Sequence, residues 1–207
     1  MSKSCCEIVE KPLDSKQNES LKRIFWIVLL INLGMFLVEA ISAFSSHSNA
    51  LLADSLDMLG DVFVYGLSLL VLLRSHVMKA KVSLVKGAIM TLLGFFVLGQ
   101  VIYKVINPIV PIAETITLIS LIALVANVIC LFLLTRFKKT DLNTRSAWTC
   151  SRNDVVANVG VMIAGLLVGY FDSMWPDLIA GIIIASVVLY SSIDVIRDSI
   201  RHKNERA

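Results

Sequence analysis

Charge is scarce in this sequence: Asp, Glu, Lys and Arg make up only 17% of its 207 residues, against 57% hydrophobic residues and a mean hydropathy of +0.79. The apolar residues come in blocks too long for a water-soluble core, so the chain is expected to take a bilayer as its solvent. Cysteine is also sparse. Cys5 and Cys6 are adjacent, Cys130 and Cys150 stand alone, and a chain whose tail lies in a reducing compartment builds no disulfide framework from such a set. Thiol chemistry, if used, is metal binding. Aromatic residues reach only 8%, too few to line a cavity for aromatic or organic cations. No soluble domain can be built from the residues after the last apolar block. Nothing in the set resembles an enzyme's catalytic constellation.

Six stretches of about 20 apolar residues, the length that crosses ~30 Å of hydrocarbon, run Ile24–Phe44, Ala50–Leu73, Gly87–Ile106, Thr115–Leu134, Ala147–Tyr170 and Leu178–Ile196. The expected fold is therefore an all-α membrane protein of six transmembrane helices. A polar tail precedes the first stretch, which has no small-residue cleavage site behind it and is not a signal peptide. Of 19 basic residues, all but Lys104 and Arg152 flank the cytoplasmic ends of these stretches, while the three opposite loops carry His47, Glu114, Asp172 and Asp177 and no Lys or Arg. Both termini are thus expected in the cytoplasm, and the modest net charge of +3 reflects topology, with no implication of nucleic acid. The chain divides into a flexible tail at 1–22, a transport domain at 23–197 and a short tail at 198–207.

Acidic residues inside the apolar stretches are the strongest signal. Asp54, Asp57 and Asp61 lie in the second and Asp154 in the fifth. Each costs ~2.5–3.5 kcal/mol to insert near mid-bilayer, so the three aspartates together impose a penalty of order 8–10 kcal/mol. Packing alone is better served by Leu or Ala. Residues four apart in a helix project to one face about 6 Å apart along the axis, which aligns Asp57 with Asp61 and Cys150 with Asp154 and Asn158. If the two helices pack antiparallel, Asp57 is expected near the level of Asp154 and Asp61 near that of Cys150. Three carboxylates and a thiol suit a small tetrahedral cation such as zinc or cadmium better than magnesium or calcium. Without the ion such a site cannot keep every carboxylate charged, so protons and metal compete for it.

These residues resemble the cation diffusion facilitator family. The stretch from Ser48 to Asp61 looks like that family's second-helix signature, in which His or Asp is followed four residues later by Asp, and the stretch from Arg145 to Asp154 is similar to its fifth-helix signature. The resemblance implies a homodimer with one transport site per protomer, alternating access, and metal ligands Asp57, Asp61, Cys150 and Asp154. Two departures are visible: Cys150 stands where many members have His, and the cytoplasmic metal-sensing domain usual after the sixth helix is absent, leaving dimerisation to membrane helices.

The expected function is proton-coupled export of a divalent transition-metal ion (zinc or cadmium, with cobalt or iron as further options) across the cell membrane, with no bound cofactor and with protons, lipid and a second copy of the chain as partners. The alternatives are a proton-coupled exporter of small organic cations and a non-transporting scaffold. Asp54, Asn153, Asn158 and Glu39 are accessory candidates: Asn153, or water, to complete the sphere if Cys150 only packs, Glu39 as part of a proton or exit path or as a partner of Lys104, and Asn158 and Asn127 as interhelical hydrogen-bonding residues. Arg152 is expected to reach the headgroups. His47 is expected at the outer surface, and His76 and His202 in loops. Gly165 with Gly169, and Gly181 with Ala185, are expected to mark close helix packing.

Overall fold

The computed structural model describes residues 15–71, 76–135 and 142–204, all helical apart from short turns. The helices are α1 (Ser15–Ser46), α2 (Asn49–Val71), α3 (His76–Ile106), α4 (Ala113–Thr135), α5 (Leu142–Phe171) and α6 (Trp175–Asn204). Five of them are long and apolar enough to cross a membrane: α1, α3, α4, α5 and α6. The exception, α2, has the length for it, because 23 residues rise about 34 Å, but it carries the three aspartates. The protein is a multi-pass integral membrane protein.

Several boundaries run past the apolar stretches. α1 begins at Ser15, inside the segment expected to be a tail, and α6 continues to Asn204. His76 opens α3 and His202 lies in α6, so neither is a loop residue. Helices at both ends extend beyond the hydrocarbon, where a purely hydropathic reading stops. Cys5 and Cys6 lie outside the described residues.

α1, α2, α4 and α5 close a ring, α1 packing on α2 and α4, and α5 on α4 and α2; α3 and α6 form a pair that leans on the ring through α2 and α5. α2 therefore touches α1, α3, α5 and α6. Two of these contacts depend on glycine. A side chain at Gly165 meets the backbone nitrogen of Thr117 on α4 at 3.0 Å, and one at Gly181 meets the backbone of Asn49 at 3.0 Å. Close packing at both glycines follows, as expected from the small-residue spacing. The α3–α6 seam is equally tight, with Gly87 against Ile196 and Gly94 against Leu189.

The bundle is turned inside out relative to a soluble protein. Phe132, Tyr170, Leu92 and Ile106 project outward, while Asn32, Glu39, Asp54, Asp61, Lys104, Asn127, Asp154, Asn158 and Asp177 are buried. That distribution is the one a hydrocarbon solvent selects. Apolar clusters bracket the polar interior. Leu21, Phe25, Val28, Tyr65, Leu69, Cys130, Leu134 and Ala147 pack at the end bearing the N-terminus, and Ala43, Ala50, Leu51, Val97, Ile116 and Ile184 belong to a cluster reaching the opposite end.

Candidate functional site

The candidate site residues come together where α2 passes α5. Asp61 and Asp154 are each 6% exposed, and their carboxyl groups face each other within hydrogen-bonding range. Asp57 lies within electrostatic reach of Asp154 but acts on it less strongly than Asp61 does. Cys150, partly buried, lies within reach of Tyr65, as do Asp61 and Asp154. Asp154 thus lies closer to Asp61 than to Asp57, where the reverse is expected from the spacing. Tyr65 packs one turn beyond the Asp61–Asp154 pair. Its ring is fully buried and its hydroxyl donates to the Ala147 carbonyl at 3.5 Å, which pins the first turns of α5 beside Tyr65. The stripe Asp57, Asp61, Tyr65 continues one i+4 series, so the spacing that singles out the aspartates also points to this tyrosine.

Among the described residues no three His, Cys, Asp or Glu side chains converge closely enough to hold one ion. Asp61 and Asp154 meet; Asp57 and Cys150 stand one turn to either side. Asn153 is exposed and is not placed to complete a coordination sphere. Asn158 donates to the carbonyl of Asp154 one turn back in its own helix at 2.8 Å, rather than to another helix. Its Oδ1 is buried without a hydrogen-bond partner. Asn127 takes part between helices through its backbone, its carbonyl accepting from Ser151 at 3.4 Å. Arg152 is exposed, with its guanidinium 5.6 Å from the centre of the Trp148 ring. It is no part of the site.

Glu39 and Lys104 do not pair. Lys104 instead bonds Asp177 at 3.4 Å and the carbonyl of His47. Asp177 in turn binds the start of α2: Ser48 Oγ donates to it at 2.5 Å, the Asn49 amide at 2.8 Å and the Ala50 amide at 3.1 Å. A carboxylate from α6 thus satisfies the amides that open α2 and meets the positive end of its dipole. His47 is exposed, as expected, and its φ of 55° turns the chain between α1 and α2. Glu39 lies elsewhere, fully buried, within electrostatic reach of Asp54 and Asp57.

Against known proteins, a family profile described as the cation efflux transmembrane domain matches residues 25–202. A Bacillus subtilis protein named as a cadmium, cobalt and zinc/H(+)-K(+) antiporter is 28% identical over 197 residues, covering 86% of this chain and 62% of that protein. One of the same name from Bacillus velezensis is 26% identical over 198 residues, again covering 86% and 62%. The chain therefore spans less than two thirds of the length of these curated relatives.

Proposed function

The chain belongs to the cation efflux family, the cation diffusion facilitators, and from that premise we propose that it exports a divalent transition-metal ion of the zinc and cadmium type in exchange for protons, through a site between α2 and α5. The observation that carries this reading is the meeting of Asp61 and Asp154, two buried carboxyl groups from different helices. Two negative charges in contact away from water repel each other strongly. A divalent cation removes the repulsion, and so do protons, which makes the two interchangeable occupants of one place. Asp57 and Cys150 flank the pair and complete a tetrahedral set when α2 and α5 draw together around the ion. The relatives' names, which join cadmium, cobalt and zinc to H(+) and K(+), support both the cargo and the exchange. Two copies of the chain form the working unit, as family membership implies.

Reconstituted vesicles test the reading. A pH dye in the lumen should respond when zinc or cadmium is added outside, in the direction of exchange. Asp61→Asn should abolish the response, and no proton flux with any late divalent ion would remove the exchange from the proposal.

A further inference from the structure

Beyond the Asp61–Asp154 pair, a second group of acids lies nearer the outer end. Glu39 is on α1 and Asp54 on α2, and both are essentially unexposed. At about 1.5 Å per residue, Glu39 lies ~10 Å in from the outer end of α1, and Asp54 and Asp57 lie ~7 and ~12 Å in from the start of α2. Glu39 therefore lies between the levels of Asp54 and Asp57, where α1 packs on α2. Asp54 and Asp57 lie within electrostatic reach of Glu39.

Neither oxygen of Glu39 has a hydrogen-bond partner, nor does Oδ2 of Asp54. The one buried cation among the described residues, Lys104, is held by Asp177 and the His47 carbonyl. A structural glutamate in such a place is expected to find a donor, because an unmet buried carboxyl oxygen forfeits its full desolvation penalty. Glu39 finds none among the described residues, although serines and asparagines are abundant at that end of the bundle.

We propose that Glu39 and Asp54, joined by Asp57 once α1 and α2 draw together, form a second station for the exported divalent cation, on the exit side of the Asp61–Asp154 pair; in the present conformation the three carboxylates stand too far apart to hold one ion. This rests on the export reading and extends it. Asp57 belongs to both levels, so an ion leaving Asp61 and Asp154 keeps one carboxylate in its coordination sphere while acquiring two more. An exit path built this way avoids stripping the ion in a single step. All-carboxylate ligands also hold a late divalent ion less tightly than a set containing a thiol, which suits release.

Cadmium binding to the purified full chain, measured by equilibrium dialysis, together with export from loaded vesicles, tests the station. Wild-type protein should bind two cadmium ions per chain, one tightly and one weakly. Glu39→Gln should lose the weak ion, keep the tight one, and lower maximal export on the order of tenfold, following the removed ligand charge, with the half-saturating cytoplasmic concentration unchanged. Glu39→Asp should restore part of both. If Glu39→Gln does not fold, Asp54→Asn makes the same test from α2. Wild-type stoichiometry and wild-type turnover in the glutamine variant would mean that a neutral side chain suffices there, and the station would be wrong while the Asp61–Asp154 reading stood. Unimpaired export by Asp61→Asn would instead overturn that underlying reading.

Discussion

At the scale of single residues, Asp61 and Asp154 set activity and stability against each other. Their contact costs free energy in the protein alone, a cost that the proposed ion offsets when it binds. Asp61→Asn and Asp154→Asn are therefore each expected to cut export by at least on the order of a hundredfold, the upper end of what even an outer-sphere change causes at a metal site. The same variants should melt at or above the wild-type temperature, because each removes one of two facing carboxylates; a large drop in melting temperature would mark the pair as structural. In the wild type, cadmium affinity should fall as pH falls, by about tenfold per pH unit for each proton the ion displaces. Cys150 makes a separate case. It stands a turn from Asp154 beside Tyr65, and Cys150→His should raise zinc export relative to cadmium by replacing a soft ligand with a borderline one. An unchanged ratio would place the thiol outside the coordination sphere. These acids were legible from their positions alone, because a charge inside an apolar run needs a reason. Which acid meets which was not, because the register depends on how α2 packs on α5, a packing detail that spacing within one helix does not carry.

Among the elements, α2 depends most on its neighbours. It brings three aspartates into the bundle, and its opening amides are satisfied from α6 by Asp177, with Ser48 Oγ adding a local bond to the Leu51 amide at 3.1 Å. Ser48→Ala is expected to cost about 1 kcal/mol, the usual loss at such a cap. Asp177→Ala should cost on the order of 3–5 kcal/mol, because it also leaves Lys104 buried without its counter-ion. In detergent-solubilised protein the second variant should unfold well before the first. A double variant of Asp177→Asn with Lys104→Met should recover part of the loss, and additive losses would show that the two side chains act independently. In the sequence, Asp177 reads as one more acid in a loop poor in positive charge. Its role depends on Gly181, one turn further along α6, which lets the helix approach the backbone of Asn49. The same limit applies to helix length: hydropathy marks where α1, α3 and α6 lie in lipid, but their polar ends continue helical past the membrane surface with no apolar run to announce them.

On the scale of the whole molecule, apolar clusters lie toward both ends of the bundle from the paired acids. The six-helix count, the inward polar groups and the outward apolar surface were all legible, since each follows from hydropathy and inserted charge. The division into a four-helix ring and an α3–α6 pair was not, because it rests on which apolar faces interlock. That division predicts where the protein must open. The cluster beneath Asp61 takes side chains from α1, α2, α4 and α5, and an ion arriving from the cytoplasm has to part some of these helices to reach the pair. α1 and α4 touch at Asn32, whose amide lies 4.0 Å from the sulfur of Cys130. In a chain with Cys5 and Cys6 changed to Ser, Asn32→Cys places a second thiol against Cys130, and a short bis-methanethiosulfonate should bridge α1 to α4. If these two helices separate during loading, bridged protein should stop exporting cadmium and regain activity when dithiothreitol cleaves the link, while the unbridged variant transports throughout. Full export by bridged protein would mean that α1 and α4 stay together and that entry runs along the other side of the ring, between α2 and α5.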